Sequence, residues 1–162
     1  MLNNKYRIDL LASTIDGWST SYDIDDDFFL SIDGLVEHGQ IHTTVHTGGS
    51  AHTRRYVIHI HSVGTVAVPC DRCLADVTIP IDTDDELAVM LGDEYSDEGD
   101  TVIIPETDGY IDISQFIYEF IVLSLPIKRV HEPGECDEQM LKVLSSHLAA
   151  DEQEEDDTAA DE

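Results

Sequence analysis

The stretch Val66-Ala-Val-Pro-Cys-Asp-Arg-Cys-Leu-Ala-Asp-Val-Thr-Ile-Pro-Ile81 decides how this chain is read. Val66 and Val68 alternate with small or polar residues before the Cys-x-x-Cys corner, and Val77, Ile79 and Ile81 do so after it. Each arm therefore keeps one apolar face, the pattern of a half-buried strand. Folding the segment about Asp71 and Arg72 makes a hairpin with Val66 opposite Val77 and Val68 opposite Ala75, like faces together. Its tip carries two thiols. Such a tip can supply half of a tetrahedral metal site, close a local disulfide, or be a tight turn of small residues.

Working outward toward the N-terminus, Arg54 to Val68 forms one long strand with Tyr56, Ile58 and Ile60 on its apolar face. Leu35 to His46 forms the strand before it, and Thr47 to Thr53 supplies the turn. The acids Asp25, Asp26 and Asp27 suit the start of a helical turn through Phe28, Phe29 and Ile32, closed by Gly34. Trp18 to Ile24 gives another strand, and Tyr6, Ile8 and Leu10 alternate in a short first one. Toward the C-terminus, the returning strand runs from Leu74 to Met90. Leu91 to Asp100 is a polar, acidic, mobile loop, and Thr101 to Ile104 is a short strand stopped by Pro105. Asp112 reads as the N-cap of the best helix signal, with Gln115 three residues on. Ile113, Phe116, Ile117, Phe120, Ile121 and Ser124 share one stripe, and Pro126 marks the end. His131 to Cys136 is a connector, and Asp137 to Leu148 suits a short second helix.

The chain has 162 residues, 35 acids and 8 Lys or Arg, for a formal charge of −27. Residues 151–162 hold eight of those acids and no base, so without them 27 acids still face 8 bases, or −19. A body this acidic repels nucleic acid and anionic membrane at long range and attracts basic proteins; high charge also simply keeps a protein soluble. Cys70, Cys73 and Cys136 are odd in number, and Met1 to Ile8 lacks the apolar core of a signal peptide, which points to a reducing cytoplasm. The longest apolar run, Phe116 to Ile127, is interrupted by Glu119, Ser124 and Pro126, too soon to cross a bilayer. From Ala149 the composition offers too little apolar surface to offset ordering entropy, so a disordered acidic tail is expected there.

The residues able to carry chemistry are few. Cys70 and Cys73 with His131 and Cys136 make Cys-x2-Cys, a long insertion, then His-x4-Cys. Zinc takes soft thiolate and imidazole donors in a tetrahedron, and the two-residue gap lets two sulfurs face one ion. The site requires the connector to return to the hairpin tip; otherwise these are reduced cysteines beside an exposed His131, and the spacing leaves both open. A thioredoxin-like role is disfavoured, because such a motif opens a helix whereas this one follows Pro69 between strands. His42, His46, His59 and His61 place His42 near His59, but on the face away from the apolar residues, where they read as solvated decoration rather than a metal site. Asp93 to Asp100 lacks the ligand spacing of a calcium loop. No phosphate loop, nucleophile elbow or His-Glu-x2-His motif occurs. Arg72, Lys128 and Arg129 would form a positive, partner-binding patch if the connector met the tip; as isolated residues they serve as counter-charges for neighbouring acids.

Val68 to Leu74, Ile111 to Ile113, Leu123 to Lys128 and Val130 to Cys136 together resemble the YceD family, whose members are described as large ribosomal RNA subunit accumulation proteins. The likeness extends from about Asp25 to Leu148 and falls on Cys70, Arg72, Cys73, Pro126, His131 and Cys136. It implies a cytoplasmic, non-enzymatic factor supporting accumulation or processing of large-subunit ribosomal RNA. The acidity argues for a basic ribosomal protein or RNA-processing factor as partner rather than direct contact with RNA or membrane. The expected fold is α+β: a bent, mostly antiparallel sheet or partial barrel with one main covering helix and a short C-terminal helix. Residues 1–148 form a single YceD-like domain and 149–162 the acidic tail. Zinc at Cys70, Cys73, His131 and Cys136 is the candidate cofactor. The alternatives are a metal-dependent RNA-processing enzyme, which lacks a visible general base or nucleophile, and a structural or storage zinc module unrelated to ribosomes.

Overall fold

The computed structural model describes residues 4–13, 17–50, 52–131, 136, 138–140, 142–143 and 145–146. The tail from 149 onward lies outside them. The chain divides into two compact units, Met1–Ala67 with Thr78–Leu125, and Val68–Val77 with Pro126–Glu162.

In the first unit, a 3-10 turn Asn4–Tyr6 leads into strand β1 (Arg7–Asp9) and one helical turn, α1 (Leu10–Ser13). Strand β2 (Ser19–Ile24) and helix α2 (Asp26–Ser31) follow. Three long strands come next, β3 (His38–Ser50), β4 (Arg55–Pro69) and β5 (Asp76–Gly92). After β6 (Thr101–Pro105) and β7 (Tyr110–Asp112) the chain enters helix α3 (Ser114–Leu123). A five-stranded sheet runs β2-β3-β4-β5-β6, and β1 pairs with β7 in a separate two-stranded sheet. This is the α+β architecture expected, with neither sheet closed into a barrel. One departure is topological: β6 lies parallel to β5, Ala88 opposite Thr101. The segment between them makes this reversal while Ser96 and Ile103 exchange backbone hydrogen bonds of 2.9 and 2.7 Å, so the expected loop is partly tied to β6.

Period-two alternation sorts the sheet's faces. On β4, Tyr56, Ile58, Ile60, Val66 and Val68 are buried, and on β5 Val77, Ile81, Leu87, Val89 and Leu91 are. The inner face also holds Thr43 and Ser62, directly opposed, whose hydroxyls satisfy each other at 2.9 Å. Tyr6, Ile8 and Leu10 are all buried as their alternation demands, although only Ile8 lies within a strand. Asp25 caps α2 as expected, its carboxylate accepting from the Phe28 N–H.

Three sequence expectations shift. The turn after β3 is shorter than Thr47 to Thr53, because β3 continues to Ser50. That lengthening sets the register: His46, not His42, faces His59, and His42 faces Val63. Helix α3 starts one residue late, with Ile113 as N-cap and no capping box. Asp112 instead accepts from the Ser114 N–H and hydroxyl, at 2.9 and 2.6 Å, which anchors its carboxylate to one residue. The buried stripe of α3 is accordingly Ile113, Ser114, Ile117, Tyr118 and Ile121, with Phe116 and Phe120 at its margin. Tyr118 packs 6.4 Å from the Phe29 ring and its oxygen accepts the buried Val36 N–H.

Candidate metal centre

The second unit is small, and its buried apolar residues among those described are Val68, Val77 and the three cysteines. So few side chains supply little hydrophobic stabilisation, and units of this size are commonly held by a staple. Their arrangement follows from the turn after β4. The Cys70 N–H donates to the Ala75 carbonyl at 2.9 Å, so Ala75 faces Cys70 rather than Val68. A displacement by an even number of residues leaves the faces as expected. Within the turn, the Leu74 N–H donates to the Cys70 carbonyl at 3.0 Å, and Leu74 sits at φ 63°, a left-handed conformation unfavourable to a side chain. That curl aims the Arg72 N–H at the Cys70 sulfur, 3.4 Å away.

The connector does return to this tip. Asp71 N–H donates to the Arg129 carbonyl at 2.7 Å, and the Arg129 N–H donates to the Asp71 carboxylate at 2.8 Å. Two residues on, the His131 ring enters the cluster. Its Nδ1 lies 3.4 Å from the Cys73 sulfur and 3.7 Å from that of Cys136, and the Cys70 and Cys136 sulfurs are 3.9 Å apart. All four donor atoms fall within 4.8 Å of one another. The cysteines are free thiols. Tetrahedral zinc with ordinary bond lengths separates two sulfurs by about 3.8 Å and a sulfur from a nitrogen by about 3.6 Å. The donor set therefore fits a four-coordinate zinc ion in both type and spacing.

The surroundings support the same chemistry. His131 Nε2 donates to the Asp76 carbonyl at 2.9 Å, which leaves the lone pair of Nδ1 facing the sulfurs. That carbonyl, reinforced by Cys70 and Cys73 against the effect of burial, holds the imidazole above its ordinary range. Burial pushes the Cys70 thiol up, but N–H donation from Cys73, Arg72 and His131 outweighs it and brings the group down to about 6. Burial and the neighbouring Cys70 and Cys73 raise the Cys136 thiol. A metal would displace protons from such a cluster.

Of the candidate partner-binding cations, Arg72 and Lys128 are exposed, whereas Arg129 is half-buried and 3.9 Å from the Asp71 carboxylate. Among the described residues no helix is long and apolar enough to cross a membrane. Sequence reading missed the Asp71 to Arg129 pairing, which joins residues 58 apart, and the Asp76 carbonyl behind His131, a backbone group that leaves no side-chain signature.

The hairpin tip and connector of this α+β chain thus assemble three thiols and an imidazole into a cluster able to hold a metal ion. The family described as Large ribosomal RNA subunit accumulation protein YceD matches residues 58–162, and the chain belongs to it. The match begins later than Asp25 and continues past Leu148. No curated protein matches the chain. No solved structure matches it either. The family's name ties the chain to accumulation of large-subunit ribosomal RNA.

Proposed function

We propose that this protein is a non-enzymatic ribosome-biogenesis factor that supports large-subunit ribosomal RNA by binding a basic ribosomal or RNA-processing protein. The family match over residues 58–162 carries this reading. The charge of −27 favours a cationic protein partner over RNA, whose binding draws on clustered Lys and Arg. In the same reading Cys70, Cys73, His131 and Cys136 hold a structural zinc that fixes the connector against the hairpin tip. Zinc with three thiolates and one imidazole has no open position for a substrate, so its contribution is order rather than catalysis. Apparent binding free energies for such sites are about 10 kcal/mol or more. The hydrogen bonds between Asp71 and Arg129 contribute about 1 kcal/mol each, so the metal dominates the unit's stability. Exposed Arg72 and Lys128 then present positive charge on a fixed edge.

Depletion of the protein lowers large-subunit relative to small-subunit ribosomal RNA, measured by quantitative hybridisation; an unchanged ratio with normal subunit profiles overturns the proposal. Affinity purification at low and high salt recovers basic ribosomal proteins only at low salt.

A further inference from the structure

The outer face of the five-stranded sheet carries a group of histidines and carboxylates, different in chemistry from the thiols. His59 and His61 are two apart on β4 and share that face, and His46 on β3 is the direct partner of His59. On the other side β5 contributes a carboxylate to each: Glu86 lies 3.1 Å from His59 Nδ1, and Asp84 lies 2.6 Å from His61 Nδ1. His46, His59, His61, Asp84 and Glu86 line one open concavity of about 450 Å³.

From this arrangement we infer that the sheet face is a binding site for a borderline divalent transition-metal ion such as Zn²⁺, with His46, His59 and His61 as ligands. Directly opposed residues have Cβ atoms about 5 Å apart, and alternate residues on a strand lie about 6.7 Å apart. Imidazoles rooted at those distances are within reach of one ion, the His46 ring turning toward His59 and His61 while Glu86 and Asp84 hold the Nδ1 atoms of those two. A carboxylate on Nδ1 orients the His59 and His61 rings and makes their Nε2 atoms better donors, the arrangement usual behind metal-bound histidine. His61 Nε2 is 3.9 Å from Asp82, outside hydrogen-bonding range, and keeps its lone pair. Imidazole donors select Zn²⁺, Ni²⁺ or Cu²⁺ over the hard cations Ca²⁺ and Mg²⁺, which take oxygen ligands. The strongly acidic body raises the local concentration of any divalent cation. Three imidazoles leave a position open to solvent, so this ion would exchange, unlike one closed in by four protein ligands.

The test is calorimetric titration of Zn²⁺ into the full chain already equilibrated with one equivalent of zinc. Cys73→Ser, its thiol centre broken, is titrated from the metal-free form and binds one equivalent; the wild type binds a second equivalent beyond the one preloaded. It is lost in His59→Gln and His61→Gln, and weakened about tenfold in Glu86→Gln. His42→Gln, on the same face but outside the concavity, leaves it unchanged. These positions lie at the surface, and circular dichroism confirms that each variant folds. Absence of histidine-dependent binding overturns the inference, as does equal weakening by His42→Gln, which would mean diffuse attraction to the acidic face. Binding that survives Cys73→Ser but not His59→Gln sustains this site even if the thiol centre takes no metal.

Discussion

Cys136 illustrates how a single side chain acquires meaning from its neighbours. Alone in the sequence it is an unpaired thiol, but its sulfur lies 3.9 Å from Cys70 and 3.7 Å from the His131 nitrogen. Cys136→Ser therefore lowers the zinc content of protein purified under reducing conditions by one equivalent in elemental analysis, and chelation of the wild type exposes Cys70 and Cys73 to alkylation, read by mass spectrometry. Asp26 gives a prediction in pH. Its carboxylate accepts the Gly39 N–H at 2.9 Å and lies 3.2 Å from His38, and these hold it below the ordinary carboxyl range. With the folded value below the unfolded one, its contribution is present above the ordinary range and lost as pH falls through the depressed value. The stability difference between wild type and Asp26→Asn, measured by urea unfolding, shrinks toward zero on acidification and is largest near neutrality.

Strand pairing sets the next level of constraint. The β3-β4 ladder places Thr43 against Ser62 on the buried face, where each hydroxyl is the other's partner. Thr43→Val leaves the Ser62 hydroxyl buried without that partner and costs about 1–3 kcal/mol. Adding Ser62→Ala recovers most of that loss, so a double-mutant cycle by urea unfolding gives a clear coupling energy. The same ladder explains where sequence reading failed. The alternation of Tyr56, Ile58 and Ile60 is legible because period two needs no partner strand. Which histidine meets His59 depends on where the turn falls, and glycines at 48 and 49 remain in β3 despite reading as turn residues. Helix α3 was likewise legible from its apolar stripe, while its first residue depended on the bond between Asp112 and Ser114.

For the chain as a whole, charge is the dominant long-range property. Eight acids in residues 151–162 account for the difference between −27 and −19. A chain truncated before Asp151 releases the proposed basic partner at lower salt than the full chain does, as followed by elution on a salt gradient. An unchanged elution point would assign the attraction to the body alone. Salt dependence is expected because exposed charges are screened within about 10 Å at 0.1 M ionic strength.

Composition, alternation and the Cys-x2-Cys and His-x4-Cys spacings were enough to establish an acidic α+β chain, its long strands, its main helix and the four candidate ligands, since each is a property of neighbouring residues. The meeting of His131 and Cys136 with Cys70 and Cys73, the parallel placement of β6 and the alignment of His46 with His59 came only from the folded chain. Those features join residues far apart in sequence, and their distances are set by backbone hydrogen bonds, with the Asp71 carboxylate adding one at the tip, that local patterns do not record.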